Sequence, residues 1–154
     1  MHSIDLAAIL DIPVQEMPFI EAFNQHEVRY LVIGGTAVRF HGHLRFANDL
    51  DVVVDNSKEN ARRVYNALTG IIGHQPFTVD DLCRSGQKLT PDYYCLDILT
   101  SLDGIGFDEA YHDKVTVAVS GIPIHIISKP HLICSKKASS REKDLEDIQA
   151  LESN

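Results

Sequence analysis

Residues 30–54, YLVIGGTAVRFHGHLRFANDLDVVV, carry the clearest signals for the fold of this chain. They open with an apolar run, residues 30–33, that is typical of a buried strand and ends at two consecutive glycines. Residues 36–40 can form one or two helical turns, and Leu50–Val54 is again strand-like. The stretch therefore predicts a strand, a short helix and a second strand, with the glycines at the first junction.

Two carboxylates open the second of these strands. Asp49 and Asp51 flank Leu50, and because side chains alternate between the faces of a strand, both carboxylates point the same way, ~7 Å apart. Like charges held on one face resist burial unless a cation lies between them, so a divalent metal is the expected occupant. Asp97 repeats the pattern of one acid in an apolar strand. If the two strands are neighbours, three carboxylates meet and suit two oxygen-ligated divalent ions.

The glycine pair and the next residue, Gly34-Gly35-Thr36, are a candidate phosphate site. Missing Cβ atoms let a phosphate approach the backbone at a strand-to-helix junction, and the threonine adds a hydroxyl donor. Alone, a glycine pair is more often a simple turn, and a lone Asp-x-Asp is a solvated strand end. The combination of Gly-Gly-Thr, twelve residues, Asp-Leu-Asp and a later strand acid is much more specific.

Other segments also predict regular structure. Asp11 is expected to cap a helix that has Pro13 in its first turn and ends near residue 26. Asn56 with Glu59 forms a capping-box-like start for a helix that reaches Gly70. Residues 71–92 match no clear pattern, and residues 94–99 return to strand character.

The C-terminal third predicts a hairpin and two helices. Residues 115–119 alternate apolar with smaller or polar side chains, and Ser120-Gly121 separates them from IPIHII. Pro123 cannot donate to a ladder, which places the second hairpin strand toward an edge of the sheet. A helix is expected from Lys129, and a last helix over about residues 138–152 should turn Leu145 inward. The predicted class is α/β (α+β), a mixed sheet of about five strands flanked by helices.

Length and composition exclude several classes. A chain of 154 residues predicts one domain over residues 1–154. No apolar run approaches a membrane span and the N-terminus has no basic leader, so a cytoplasmic protein without a membrane partner is expected. Three cysteines without paired spacing indicate reduced thiols rather than disulfides or zinc. The net charge of −8 disfavours nonspecific nucleic-acid binding, except at a basic patch over residues 129–143.

These motifs together resemble the nucleotidyltransferases of the DNA polymerase β-like superfamily. Residues 30–54 look like the GG-x-A-x-x-x-HG-x-x-R pattern of the AbiEii-type abortive-infection toxins and related nucleotidyltransferases. The segment SKKASSREKDLEDIQAL is similar to the K-x-x-x-R-x-x-D helix near the end of their core domain. The resemblance spans about residues 28–152, with one departure at Ala47, where relatives commonly carry threonine.

The resemblance implies a role for each matching residue. The catalytic and metal-binding set would be Asp49, Asp51 and Asp97. Asp49 and Asp51 would carry Mg²⁺, with Mn²⁺ as a substitute, and Asp97 would bind a second ion and help to deprotonate the acceptor hydroxyl. The nucleotide-binding set would be Gly34, Gly35, Thr36, Arg45, Lys137, Arg141 and Asp144. Within it Lys137 would reach the triphosphate, with Lys136 as a substitute, and Asp144 would position a basic group. The spacing i, i+4, i+7 would place Lys137, Arg141 and Asp144 on one helical face.

Several interpretations stay open. His41 can equally pack the short helix, Arg45 is expected to pair with Asp49, Asp51 or phosphate, and Tyr94 can stack on a base or simply pack. The chain is expected to be an active enzyme that moves a nucleoside monophosphate from NTP to an acceptor hydroxyl on tRNA, protein or a small molecule. It could also be the toxin of a toxin–antitoxin pair, with an antitoxin as partner. The alternative is a catalytically silent nucleotide-binding module, against which the intact carboxylates argue.

Overall fold

A six-stranded mixed sheet flanked by helices forms the fold in the computed structural model, which describes residues 5–139 and 141–153. Residues 1–4, 140 and 154, which belong to the predicted single domain, lie outside the described residues. The helices are α1 (Leu6–Leu10), α2 (Met17–Gln25), α3 (Gly34–Phe40), α4 (Lys58–Ile72), α5 (Val79–Cys83), α6 (Phe107–His112), α7 (Lys129–Ser139) and α8 (Glu142–Glu152), with a 3₁₀ turn at Val14–Glu16. The strands are β1 (Tyr30–Ile33), β2 (Leu50–Val54), β3 (Lys88–Leu89), β4 (Leu96–Leu99), β5 (Val115–Val119) and β6 (Ile122–Ile126).

The strand order is β3-β4-β2-β1-β6-β5. β1 is antiparallel to β2, whereas β2 and β4 run parallel, as do β1 and β6. The central strands β1, β2 and β4 are almost wholly apolar and buried, as expected for strands covered on both faces. The predicted α/β class is correct. The sheet has one strand more than expected, because β3 is only two residues long and too short to show a strand pattern in the sequence.

The N-terminal helix differs from the prediction. Asp11 does not begin a helix but follows α1 as its C-cap, with a left-handed φ of 52°. A 3₁₀ turn comes next, and α2 starts at Met17 with Pro18 in its first turn. A proline does lie in the first turn of this helix, but it is Pro18 rather than Pro13.

The hairpin forms as predicted, but its second strand is not at an edge. β6 lies between β1 and β5, and β5 is the edge strand. Pro123 is tolerated because β6 pairs with β1 only at Val32 and Ile126, three residues beyond the proline. The helix predicted from Asn56 starts one residue later, where Ser57 accepts a hydrogen bond from the Asn60 N–H, and it runs to Ile72.

The two C-terminal helices form as predicted, but the last one starts at Glu142 rather than at about residue 138. α7 ends at Ser139 and α8 starts at Glu142, with Arg141 as the N-cap residue of α8. Leu145 is exposed, contrary to prediction, because α8 instead buries Asp144 and Asp147 together with Ile148 and Leu151. Among the described residues, no helix has the length and apolar character needed to cross a membrane.

Candidate active site

Two carboxylates meet at one edge of the sheet. β2 and β4 are parallel neighbours, and their register sets Asp51 directly beside Asp97. Asp97 is buried; its Oδ1 accepts a hydrogen bond from Thr90 Oγ1 at 2.5 Å, and Lys88 Nζ lies 3.6 Å from its Oδ2. The strand order thus brings together two acids that are 46 positions apart in the sequence.

This proximity changes the ionisation of Asp51. Burial raises the pKa of Asp51, and the charge of Asp97 and a hydrogen bond with it add to the effect, whereas Lys88 opposes it; the result is a pKa of about 6. Near neutral pH the pair is therefore held in an unfavourable charge state, which a proton or a bound cation relieves.

Asp49 extends the acidic region away from this pair. It is exposed. Burial is the main cause of the raised pKa of Glu16, Cys95 and Asp51, and the charge of Asp49 adds to it in each case. Glu16 is fully buried, and its Oε1 accepts a hydrogen bond from the Cys95 N–H at 3.2 Å, while Oε2 has no hydrogen-bond partner. Sequence reasoning missed Glu16, because an isolated acid at the start of a helix carries no distinguishing signal.

The predicted set of three carboxylates is not assembled as a metal site. Within residues 5–139 and 141–153, no three His, Cys, Asp or Glu side chains are grouped so as to hold an ion. Asp51 and Asp97 form a pair, and Asp49 lies toward Glu16 and Cys95. The pair itself fits a hard divalent cation, because it offers carboxylate oxygens and because its charge is already costly to bury.

The glycines pack tightly against this edge. Gly34 has a φ of +64°, and a Cβ on it would lie 2.3 Å from Asp51 Oδ2, so only glycine fits. A Cβ on Gly35 would lie 2.8 Å from the Cβ of Ala47, and Thr36 is buried. Gly34 is thus the member of the predicted phosphate site that reaches the surface beside Asp51, and the structure gives Gly35 a packing role.

A basic cleft opens next to Gly34 and Asp51. Its lining includes four cationic side chains, from Lys88, Lys136, Arg141 and Lys143. Cationic side chains around a glycine, whose backbone a phosphate can approach, are suited to bind phosphate oxygens through charge-assisted hydrogen bonds. Asp103 and several serines complete the polar lining.

Lys136 is held in place by a buried ionic network. Its Nζ lies 3.3 Å from Asp144 Oδ1 and 3.0 Å from Asp147 Oδ2, and all three side chains are at least 90% buried. Arg45 donates to both oxygens of Asp147, from Nε at 2.9 Å and from Nη2 at 3.2 Å. Arg45 therefore pairs with Asp147, and not with Asp49 or Asp51 as the sequence had suggested.

Asp144 is stabilised as a carboxylate. Burial opposes its ionisation, but Ser139 Oγ at 2.6 Å, Arg141 Nε at 2.9 Å and the charge of Lys136 lower the pKa of Asp144 to about 2. Asp144 thus positions two basic groups that line the cleft, Lys136 and Arg141.

Lys137 lies apart from the cleft. The break between α7 and α8 means that Lys137, Arg141 and Asp144 do not share one helix, so the one-face argument is wrong. Lys137 is exposed and its Nζ lies 2.7 Å from Glu152 Oε1. The residue that reaches the cleft from α7 is its neighbour Lys136.

His41 and Tyr94, two ring side chains considered as site residues, pack within the fold. His41 Nε2 lies 2.8 Å from the Ile127 carbonyl oxygen, and burial lowers the pKa of His41. The ring of Tyr94 packs edge-on against Phe19, with 5.0 Å between centroids. Tyr93, in contrast, is fully exposed.

A mixed sheet with paired acids at the end of a glycine turn, beside a basic cleft, defines a nucleotidyltransferase-like domain. The chain belongs to a family described as nucleotidyltransferase of unknown function (DUF6036), whose profile matches residues 14–152. Among curated proteins, no sequence matches significantly.

Solved structures share this fold. Lincosamide antibiotic adenylyltransferase LnuA, solved with lincomycin bound, is 20% identical, with a TM-score of 0.62 over 92% of this chain and 98% of its own. A nucleotidyltransferase-type protein from Thermotoga maritima is 14% identical, with a TM-score of 0.56 over 89% and 88% of the two chains. An antigenic nucleotidyltransferase-like protein from Paracoccidioides brasiliensis is 13% identical, with a TM-score of 0.51 over 91% and 77%. The family and fold confirm the predicted nucleotidyltransferase class.

Proposed function

We propose that this protein is a Mg²⁺-dependent nucleotidyltransferase that moves a nucleoside monophosphate from an NTP to an acceptor hydroxyl. The observation that carries the proposal is the Asp51–Asp97 pair beside Gly34 and the basic cleft. In the reaction the acceptor oxygen bonds to the α-phosphorus, the bond from that phosphorus to the bridging oxygen breaks, and pyrophosphate leaves. LnuA, a structural neighbour, is an adenylyltransferase, which supports transfer of this kind.

Different residues of the chain bind the phosphates, accept the proton and hold the metal. Lys136, Arg141, Lys88 and Lys143 bind the phosphates in the cleft, and Gly34 lets them approach the backbone. Asp97 takes the proton of the acceptor hydroxyl. Asp51 and Asp97 would hold Mg²⁺, or Mn²⁺ in its place, whose positive charge stabilises the charge that develops on the phosphoryl oxygens.

Labelled nucleotides test the proposal directly. The protein is incubated with Mg²⁺, cell extract and each NTP labelled at either the α- or the γ-phosphate. We expect α-label, but not γ-label, in an acceptor, and we expect Asp51→Asn to abolish the transfer. Transfer of the γ-label would indicate a kinase instead, and binding of Mg²⁺–NTP without any transfer would favour the silent binding module.

The two adjacent lysines provide a matched pair for the nucleotide half of the proposal. Lys136→Arg keeps the charge that Asp144 and Asp147 require but changes its reach, and it should weaken Mg²⁺–NTP binding in a calorimetric titration. Lys137→Ala, one position along the same helix, should bind as the parent does, since it pairs with Glu152 outside the cleft.

The role of a toxin would use the same chemistry. Expressing the parent and Asp51→Asn in the host cell tests this role. If the protein is a toxin, the parent arrests growth and the variant does not, and the label appears in a host macromolecule such as tRNA.

A further inference from the structure

Two loops next to the carboxylates expose apolar side chains. Residues 41–49 precede β2 and residues 90–95 precede β4, and the Leu50 N–H donates to the Cys95 carbonyl oxygen at 2.8 Å where they meet. Because β2 and β4 are parallel neighbours, both loops enter the sheet at the edge that carries Asp51 and Asp97. Phe46 is 77% exposed on the first loop, and Tyr93 is fully exposed on the second.

The charge on this side is opposite to that of the cleft. Glu16, Asp49 and Asp92 supply acids, while Arg45, the one Lys or Arg of the two loops, is bound by Asp147. Neither loop contributes to the lining of the basic cleft. The Asp51–Asp97 pair therefore has a cationic surface on the cleft side and an anionic, aromatic surface at the loops.

A buried oxygen on the anionic side lacks a donor. Glu16 Oε2 is shielded from solvent and has no hydrogen-bond partner, although Oε1 is satisfied by Cys95. An unsatisfied buried carboxyl oxygen is costly, and the charge of Asp49 beside it adds to the cost. A cationic group bound against the exposed Asp49 would offset the charge of Asp49 and thereby its unfavourable effect on Glu16.

We propose that the acceptor is a small hydroxyl compound that carries a positive charge and an apolar part, bound by loops 41–49 and 90–95. The positive charge meets Asp49 and the field of Glu16, and the apolar part lies on Phe46 and Tyr93. A polyanion such as RNA is disfavoured because these loops present acids and no unpaired Lys or Arg among the described residues. The inference rests on the proposed transferase function and names its substrate class.

The acceptor class is read from fractionated cell extract. The extract is divided into RNA, protein, small molecules retained by a cation-exchange resin, and small molecules that pass through it. Each fraction is incubated with the protein, Mg²⁺ and α-labelled NTP. We expect the retained small molecules to take the label, together with alkyl- and aryl-substituted amino alcohols such as 2-amino-1-phenylethanol. Their N-acetyl forms, which keep the hydroxyl but lose the charge, should accept at least tenfold less.

Variants tie the acceptor to the loops. Tyr93→Ala and Glu16→Gln should each raise the KM for the cationic acceptor about tenfold while the KM for NTP stays within about twofold, as expected for groups that contribute only to acceptor binding. Leu145→Ala, at an exposed apolar residue on α8, is the control and should change neither value.

The outcomes separate the two proposals. Label in RNA, in protein or in the unretained small molecules overturns the cationic acceptor but leaves the transferase function standing. The cationic acceptor is also overturned if N-acetylation has no effect, or if Mg²⁺–NTP binds and the retained fraction stays unlabelled. Loss of Mg²⁺–NTP binding itself, measured by calorimetry without any acceptor, would count against the proposed function.

Discussion

Replacing Asp51 with asparagine is expected to stabilise the protein near neutral pH while abolishing transfer. Burial and Asp97 raise the pKa of Asp51 from 3.8 to about 6. Between these values the folded state keeps a proton that the unfolded state has lost, so the free energy of unfolding falls as pH rises. At 1.36 kcal/mol per pKa unit, the parent loses about 2–3 kcal/mol of stability across this window, and the asparagine variant does not.

Urea unfolding from about pH 4 to about pH 8 measures this difference. The stability of Asp51→Asn relative to the parent should rise through the window and level off about one pH unit above the pKa of about 6, where the ionisation of Asp51 is nearly complete. Glu21→Gln, an exposed acid on α2, is the control and should show no such rise. Millimolar Mg²⁺ should stabilise the parent at neutral pH and have little effect on Asp51→Asn, because a ligand that binds only the folded state adds stability.

Two results would contradict this role of Asp51. A stability difference between parent and variant that stays constant with pH would mean that Asp51 and Asp97 do not compete for charge. Equal stabilisation of both proteins by Mg²⁺ would mean that the ion binds elsewhere.

Three further variants probe the cleft. Gly34→Ala should lose Mg²⁺–NTP binding and fold stability together, because its Cβ would collide with Asp51 at 2.3 Å; calorimetry and thermal melting check this. Lys136→Ala should destabilise by about 3–5 kcal/mol in urea, since it leaves buried carboxylates uncompensated, whereas Lys137→Ala should cost less than about 1 kcal/mol. Asp147→Asn should raise the KM for NTP at least as strongly as it lowers kcat, because Asp147 holds Lys136 in the cleft; a fall in kcat alone would contradict that role.

The central strands and the paired acids could be predicted because their signals are local. Apolar runs ending in glycine, and single acids at strand positions, define β1, β2 and β4 without knowledge of the partner strands. The Asp-Leu-Asp spacing predicts one face for both carboxylates, whereas Asp49 precedes β2 and lies toward Glu16 and Cys95. What the spacing could not give is the strand order, and the register of Asp51 with Asp97 depends on it.

The remaining errors arise where tertiary contacts override local pattern. Pro123 predicts an edge strand, yet β6 lies inside the sheet. This is possible because β1 pairs with β6 at Ile126, beyond the proline. Glu16 reads as a solvated helix start, yet it is buried against the Cys95 N–H, 79 positions away in the sequence. No periodicity in a single sequence encodes contacts of that range.

The basic segment near the C-terminus shows why helical spacing favours Lys137, whereas the structure brings Lys136 to the cleft. Read as one helix, its apolar residues predict an inward Leu145, and its charges predict a solvated face. In the structure, however, α7 ends at Ser139 and a separate helix, α8, begins at Glu142. The acids of α8 turn inward because Lys136, on α7, and Arg45, on the loop before β2, form ion pairs with them. Each such acid would be costly to bury alone, and Asp147 avoids that cost by meeting two cations. The inward lysine is therefore fixed by its carboxylate partners rather than by helical spacing, which favours Lys136 over Lys137 for contact with phosphate.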